Sequence, residues 1–365
     1  MKNPDRSASC SRSRIVPLVL ATLVAACTGT GSPSPATSQR SVTSLGPNAT
    51  DGPRAVVIDT DMAADDWLAI LYLLGRPEVN VKAITVTGAG EAHCGPGVRN
   101  ALGLVALAGQ PDIPVACGRE KPLAGDHAFP AQWRDGVDTL LGLSLPDNPN
   151  RPASDSAVQL LAATLRSSPD RVTLLTLGPL TNPAELLRDS PELADRIGAL
   201  YVMGGAVDVE GNVGVSGVGI ENRFAEWNVY VDPVAANLLL SSGVPVTLVP
   251  LDATNHAPVT TAFAERLAGD VVTPQAAFSS DVLSRLRDAI DSGGYYFWDP
   301  LAAAMIDDES LASFDRRALA VVTDEGPESG RVISSGNSPM TRFATSADLQ
   351  RFEQLFLDTL NGRAR

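Results

Sequence analysis

From residue 54 onward, short runs of apolar, often β-branched residues alternate with longer amphipathic stretches. Uninterrupted apolar runs are typical of strands buried on both faces, and their alternation with helices indicates a parallel sheet. The pattern predicts strands at 55–59, 81–87, 113–117, 172–177, 199–203 and 244–251, and helices at 65–74, 97–108, 156–166, 184–187 and 233–240. We therefore expect residues 54–365 to form one large α/β domain, with a mostly parallel, Rossmann-like central sheet flanked by helices.

The first 53 residues do not follow this pattern. Basic residues at positions 2, 6, 12 and 14 precede an apolar run over residues 15–26, which is too short to span a bilayer but suits an export signal. The run ends in Leu-Val-Ala-Ala before Cys27, which resembles the bacterial lipoprotein signal; the alternative is an ordinary signal peptide with a chance cysteine. We expect a signal peptide over 1–26, lipidation at Cys27, a flexible tether over 27–53, and a protein anchored at the outer face of the bacterial cell membrane.

Charge narrows the range of partners. The 365 residues carry a formal charge of −14, which would repel phosphate backbones and anionic membrane surfaces. A nucleic-acid polymer is therefore not an expected partner, and membrane contact is expected only through the lipid anchor. The three histidines are too few and too scattered for an HExxH zinc motif. A site rich in carboxylates is the more natural expectation.

Cys94 and Cys117 are the cysteines of the body of the chain. An oxidising environment outside the cytoplasm permits a disulfide between them. Spacing does not show whether their Cα atoms come within bridging distance, so a disulfide and two free thiols both remain open.

Four carboxylates lie within eight positions where the first predicted strand ends and a helix begins: Asp59, Asp61, Asp65 and Asp66. Ligands of open α/β sheets bind beyond the carboxyl ends of the strands, and crowded anions need a counter-charge. Oxygen ligands favour calcium or magnesium over zinc. Two alternatives are a set of solvated helix caps and an aspartyl-phosphate phosphatase, which also uses an Asp-x-Asp after a strand.

Two loops at the same edge of the sheet add polar and aromatic residues. The glycine-rich loop after the second strand carries Glu91 and His93, and the long connection over residues 118–150 carries His127, Phe129 and Trp133. Long loops at this face are commonly lids.

Five motifs in order resemble those of the nucleoside hydrolase family. They are Asp-Thr-Asp with Asp-Asp at 59–66, the segment 174–182 (Leu-Leu-Thr-Leu-Gly-Pro-Leu-Thr-Asn), Met-Gly-Gly at 203–205, Ala-Glu-Trp-Asn at 225–228 and Trp-Asp-Pro at 298–300. The resemblance covers nearly the whole body and implies the fold of that family. It also implies hydrolysis of the N-glycosidic bond of a ribonucleoside to ribose and free base.

The resemblance further implies a division of labour. A calcium ion would be held by Asp61, bidentate Asp66, Asp299 and the backbone carbonyl of Leu177, and Asp61 would also take a proton from the calcium-bound water that attacks the anomeric carbon. Asp59 would support this loop through backbone hydrogen bonds. The residues expected at the ribose and its pocket are Asp65, Met203, Asn212, Glu226, Trp227 and Asn228.

At the base, the chain resembles the purine-preferring inosine-adenosine-guanosine branch. Trp298 stands before the last aspartate, where members that accept both inosine and uridine commonly have histidine. In the purine branch two tryptophans sandwich the base, and Trp133 and Trp298 would be those two. The role of His93 stays open, and His256 is expected to be structural or exposed. Tyr295, Tyr296 and Phe297 are expected in the core.

The leading hypothesis is thus a calcium-dependent, purine-preferring ribonucleoside hydrolase. The alternative from another class is a non-catalytic lipoprotein that binds nucleosides, but such a protein has no use for an attacking-water group at Asp61. The expected partner is a small-molecule nucleoside, and a homo-oligomer remains open.

Overall fold

The central sheet contains nine strands in a computed structural model that describes residues 52–363. The strands are β1 (Arg54–Thr60), β2 (Val79–Val86), β3 (Val115–Cys117), β4 (Val172–Thr176), β5 (Ile197–Met203), β6 (Val246–Val249), β7 (Phe314–Val321), β8 (Val332–Ser334) and β9 (Met340–Ala344). The predicted signal peptide, Cys27 and the tether up to residue 51 lie outside the described residues.

Thirteen α-helices accompany these strands in the described part of the chain. They are α1 (Ala64–Leu74), α2 (Cys94–Leu107), α3 (Ala131–Asp138), α4 (Ala157–Ser167), α5 (Thr181–Asp189), α6 (Trp227–Val231), α7 (Pro233–Ser241), α8 (Leu251–Thr254), α9 (Thr261–Ala268), α10 (Pro274–Arg285), α11 (Arg287–Asp291), α12 (Trp298–Asp307) and α13 (Leu349–Leu360). No helix between residues 52 and 363 is both long and apolar enough to cross a membrane.

The strand order is β3-β2-β1-β4-β5-β6-β9-β7-β8. Strands β1 to β6 and β9 pair in parallel, while β7 and β8 form an antiparallel edge. The first six strands follow the doubly wound order 3-2-1-4-5-6, in which the direction of strand addition across the sheet reverses between β1 and β4. A crevice for a ligand is therefore expected beyond the carboxyl ends of these two strands.

Helices cover both faces of the sheet. On β1, Val56 and Ile58 belong to one hydrophobic core and Val57 to a second, because successive side chains of a strand point to opposite faces. Leu68 of α1 packs in the first core and Leu161 of α4 in the second. The predicted fold class is confirmed.

The predicted elements are shifted by a few residues at their ends. The third strand begins at Val115 rather than at residue 113, since Pro114 has no N–H to donate to a ladder. The sixth ends at Val249, and Leu251 after Pro250 begins α8. The long connection over residues 118–150 contains the helix α3. The antiparallel edge of β7 and β8 was not predicted.

Candidate active site

The turn from β1 to α1 places four acidic residues at the switch point of the sheet. Met62, inside the turn, is fully buried and has a φ of 61°, a conformation that residues other than glycine adopt at a cost. Its N–H donates to the hydroxyl of Thr60 (2.9 Å), and its carbonyl accepts from the indole of Trp67 (2.9 Å). These bonds fix where Asp61 and Asp66 point.

Asp61 is held from two neighbouring loops. The backbone N–H of Glu91 donates to its Oδ2 at 3.0 Å. Two glycines lie against it, because a Cβ at Gly90 would be 2.1 Å and one at Gly178 2.6 Å from the Asp61 Cβ. Burial raises the pKa of Asp61 to about 6, while the Glu91 N–H lowers it. A carboxylate of this pKa accepts a proton at neutral pH.

Asp65, Asp66 and Asp299 form the candidate metal cluster, with one carboxylate oxygen from each lying within 4.8 Å of the others. Asp299 lies in the first turn of α12. Asp66 Oδ2 and Asp299 Oδ1 are buried without a hydrogen-bond partner. Burial raises the pKa of Asp66 and of Asp299 well above the usual range, and the charges of neighbouring aspartates raise both further. Unpartnered buried carboxylate oxygens are what a hard cation would satisfy.

This cluster differs in part from the predicted ligand set. Asp65 was expected at the ribose, yet its carboxylate also lies with Asp66 and Asp299. Asp61 borders them, and its charge raises the pKa of Asp66. The Leu177 carbonyl accepts from the amide of Asn228 at 3.1 Å. Asp65 therefore lies beside the predicted metal ligands although it was assigned to the ribose, because Asp65 and Asp66 are adjacent in the first turn of α1.

Glu226 and Asn228 lie at the start of α6, and the charge of Glu226 raises the pKa of Asp65. Glu226 caps this helix: Oε1 accepts from the N–H of Asn228 (2.9 Å), and Oε2 accepts from that of Gly205 (2.8 Å). Burial raises the pKa of Glu226 to about 7. The Asn228 amide also donates to the carbonyl of Met203 at 3.2 Å.

Asn212 joins the same group through its side-chain oxygen, which accepts from the N–H of Trp227 at 3.1 Å. The structure thus brings together Met203, Asn212, Glu226 and Asn228, which belong to the segment that runs from the end of β5 into α6.

The aromatic residues form two groups. Trp133 of α3 contacts Trp227, with ring centroids 5.3 Å apart, and Phe129 stacks on Trp227 at 5.2 Å. Trp298 instead packs edge-on against Tyr295 at 5.2 Å. Trp133 and Trp298 are both half-buried, as expected of walls that a ligand would complete.

The backbone of Asp59 bonds to a predicted site residue, since its carbonyl accepts from the N–H of Leu177 at 2.8 Å. Its carboxylate also accepts side-chain hydrogen bonds, from the hydroxyl of Thr85 (2.5 Å) and the amide of Asn182 (2.7 Å). Burial raises its pKa to about 7. Asp59 anchors the end of β1 to the neighbouring strand β2 and to α5.

Three residues near the acids were not assigned to the site from the sequence, although Tyr295 was expected in the core and is buried there. The carboxyl of Glu91 has a pKa well above its usual range because of desolvation and the charges of Asp61 and Asp65. The hydroxyl of Tyr295 is buried without a partner, and burial together with the charges of these acids raises its pKa. Arg134 of α3 donates to the Gly88 carbonyl at 2.9 Å. Glu91 was visible as an acid in a glycine-rich loop, whereas Arg134 and Tyr295 carry no local signal.

Cys94 and Cys117 form a disulfide, with 5.6 Å between their Cα atoms. The structure also gives His93 a contact, since its Nδ1 lies 2.7 Å from Asp138 Oδ2 on α3. His256 is exposed, as expected.

Residues 56–354 match the family described as inosine-uridine preferring nucleoside hydrolase. The chain belongs to this nucleoside hydrolase family. It is therefore an enzyme, an N-glycosidase that hydrolyses ribonucleosides, rather than a phosphatase or a non-catalytic binder. The family membership explains why the acids converge at the switch point of the sheet.

Relatives of this nucleoside hydrolase differ in the base they accept. The chain is 33% identical over 315 residues to the pyrimidine-specific ribonucleoside hydrolase RihA of Salmonella paratyphi C, covering 84% of this chain and 97% of the relative. The corresponding protein of Klebsiella pneumoniae is 34% identical over 314 residues, with the same coverage. Among solved structures, the purine-preferring ribonucleoside hydrolase from Gardnerella vaginalis has a TM-score of 0.74 and 29% identity, covering 85% of this chain and 99% of that one.

The inosine-uridine preferring nucleoside hydrolase from Bacillus anthracis has a TM-score of 0.75 with the same coverage. At 24% identity this match shows the fold alone.

Proposed function

We propose that this enzyme is a calcium-dependent ribonucleoside hydrolase that prefers purine nucleosides. The observation that carries the calcium assignment is the cluster of Asp65, Asp66 and Asp299, in which Asp66 Oδ2 and Asp299 Oδ1 are buried without a hydrogen-bond partner. Every donor in the cluster is a carboxylate oxygen, which suits the high and flexible coordination of calcium. With Asp61 beside the cluster, the proposed ligands come from two segments of the chain, residues 61–66 and Asp299. The Leu177 carbonyl would add a ligand from a third segment.

Calcium in this cluster would neutralise the acids and orient both water and the ribose hydroxyls. Asp61 accepts the proton of the attacking water, whose oxygen forms a bond to the anomeric carbon. The bond from that carbon to the base nitrogen breaks, and its electron pair leaves with the base, which takes a proton from solvent. The sugar acquires oxocarbenium character in this step, and the acidic pocket stabilises its positive charge.

Ribose recognition is proposed for Asp65, Asn212, Glu226 and Asn228, with Met203 lining the pocket. The Glu226 carboxylate already accepts backbone N–H groups at the start of α6, so its position is fixed before a sugar binds. A rigid site of this kind holds the anomeric carbon in line with the water, which favours reaction.

The purine preference rests on Trp298, the residue before Asp299, and on Trp133, which contacts Trp227. Large aromatic faces stack well on a purine, and stacking contributes roughly 1–3 kcal/mol per base. The pyrimidine specificity in the names of the RihA relatives favours the competing assignment. Parallel assays of the purified protein with inosine and uridine decide between them. Faster release of uracil than of hypoxanthine would reject the purine preference, and tight inosine binding without release would reject catalysis.

Replacement of Trp298 by alanine tests the aromatic wall. We expect kcat for inosine to fall about 10- to 100-fold, as the loss of one stacked base predicts. Hydrolysis of nitrophenyl riboside, whose leaving group needs no protonation, should change little. Phe356→Leu is the control, because Phe356 of α13 is buried in the hydrophobic core, stacked on Tyr72. An equal loss with both substrates would contradict the assigned role of Trp298.

Calcium should stabilise the enzyme more at pH 8 than at pH 5.5. In the folded chain the pKa of Asp61 is about 6 and that of Asp65 about 7, against 3.8 for an exposed aspartate. Between about pH 4 and pH 7 these groups therefore bind more protons in the folded chain than in the unfolded chain. Their contribution to stability is present below pH 4 and is lost as the pH rises through 6 to 7. Calcium binds the ionised carboxylates, so the stabilisation that it gives increases as the pH rises.

Thermal unfolding with calcium or with chelator, at both pH values, measures this difference. At a calcium concentration of 100 times Kd we expect about 2.7 kcal/mol of stabilisation at pH 8. A calcium effect that is equal at both pH values, or larger at pH 5.5, would contradict the acidic cluster as the binding site.

Export and lipid anchoring through Cys27 are also part of the proposal. They rest on the amino-terminal sequence. Metabolic labelling with a fatty acid in a bacterial host should mark the protein, and Cys27→Ala should abolish the label. Label that persists in the variant would reject lipidation at this residue.

A further inference from the structure

The disulfide between Cys94 and Cys117 lies beside the candidate active site. Cys94 is the first residue of α2 and Cys117 the last residue of β3. The bond therefore ties the helix that follows the β2–α2 loop, residues 87–93, to the strand from which the long loop over residues 118–150 departs. Both tied segments emerge at the carboxyl ends of the strands, where the acids lie.

The β2–α2 loop holds Asp61 by backbone groups. Besides the Glu91 N–H on Oδ2, the Ala92 N–H donates to the Asp61 carbonyl at 2.9 Å. The Thr87 N–H donates to the carbonyl of Thr60 at 2.8 Å. Cys94 follows Ala92 by two residues, so the disulfide closes the loop immediately after the groups that position the proposed base.

The disulfide also packs on this loop directly. A Cβ at Gly88 would lie 2.7 Å from the Cys94 Sγ, and the Gly88 carbonyl accepts from Arg134 of α3. On the other side, a Cβ at Gly118 would lie 1.9 Å from the side-chain oxygen of Asn182, whose amide donates to Asp59. Cys94 thus packs against Gly88, whose carbonyl binds Arg134. Cys117 precedes Gly118, which packs against Asn182, and Asn182 donates to Asp59.

We propose that the Cys94–Cys117 disulfide is a positioning pair for Asp61, and that its reduction lowers the turnover of the enzyme. The inference rests on the proposed role of Asp61. Both cysteines are half-buried and line an open cavity of about 710 Å³ between α2 and the loop over residues 143–155. A small thiol reductant can therefore reach the bond without unfolding the chain.

Reduction by dithiothreitol proceeds by two exchanges. A thiolate of the reagent attacks one sulfur and forms a mixed disulfide, and its second thiolate then displaces the enzyme sulfur. The reagent loses two electrons and becomes a cyclic disulfide, and the two cysteines gain those electrons and end as thiols. The β2–α2 loop then loses its covalent tie to β3, so its hydrogen bonds to Asp61 open more often.

The test compares the purified enzyme, oxidised and reduced, with the Cys94→Ser/Cys117→Ser double variant, in buffer with calcium. We expect kcat to fall about tenfold on reduction and in the double variant, because displacement of a reacting group by 1 Å can cost about 100-fold. KM should stay within about twofold, since Glu226 and Asn228 lie on α6, away from the disulfide. Dithiothreitol should not change the double variant further, which controls for other effects of the reagent.

A second control and a direct measurement separate positioning from general destabilisation. Ser156→Ala removes the capping box of α4, remote from the acids, and should lower the thermal midpoint with kcat unchanged. Hydrogen exchange of the Glu91 and Ala92 amides should become faster when the disulfide is reduced. A reduced enzyme with unchanged kcat would overturn the proposal, whether or not the exchange changes. An oxidised enzyme that hydrolyses no nucleoside would reject the proposed function instead, and the exchange measurement would still decide whether the disulfide holds the loop.

Discussion

Replacement of Asp61 by asparagine should lower kcat for a purine nucleoside about 10³-fold. General base catalysis contributes typically 10²- to 10⁴-fold, and asparagine has no basic oxygen to accept the proton of water. The substitution keeps the size of the side chain, which matters because Gly90 and Gly178 leave it no spare room. Steady-state rates of hypoxanthine release from inosine measure the effect.

Asp307→Asn is the matched control for this substitution. Asp307 lies at the end of α12, the helix that carries Asp299 in its first turn, and pairs with Arg76 at 2.6 Å. Loss of this buried ion pair should lower the thermal midpoint while leaving kcat within about twofold, because a break in a buried pair mainly affects stability. If Asp61→Asn retained more than about a tenth of the activity, Asp61 would not be the base.

The sequence predicts most about the site where the functional residues also mark the end of a strand or the start of a helix. The acids from Asp59 to Asp66 follow an uninterrupted apolar run, so the end of a parallel strand, the start of a helix and a cation site could all be predicted from one segment. The motif at Glu226 was assigned to the ribose from the resemblance, and in the structure the same carboxylate also caps α6. In both segments the functional side chain also satisfies the backbone around it.

Contacts between distant segments could not be predicted in the same way. The spacing of Cys94 and Cys117 allowed both a disulfide and free thiols, since it does not give the distance between a helix start and a strand end. The raised pKa of Glu91 depends on its burial and on the charges of Asp61 and Asp65. The contact of Arg134 with Gly88 depends on how the long connection over residues 118–150 folds. Asp65 joined the metal cluster because Asp299, more than two hundred residues later, packs against the first turn of α1.

Asp66 offers the sharpest test of that cluster, because its charge should act in opposite directions with and without calcium. It is fully buried, and burial together with the charges of Asp61 and Asp65 raises its pKa. In chelator at pH 8, Asp66→Asn should raise the thermal midpoint, since it removes one of several crowded anions. With saturating calcium the same variant should be less stable than the unchanged enzyme, because a ligand has been lost.

Calorimetric titration should show calcium affinity at least about 100-fold weaker in Asp66→Asn, since even the loss of a supporting contact to a metal ligand costs about 10- to 100-fold. Thr60→Val is the control, because the Thr60 hydroxyl donates to Asp66 Oδ1 without offering a charge. That variant should bind calcium more weakly but show no gain in stability in chelator. If Asp66→Asn and the unchanged enzyme unfolded at the same midpoint in chelator at pH 8, the repulsion among these aspartates would be too small to require a cation, and the metal site would have to lie elsewhere.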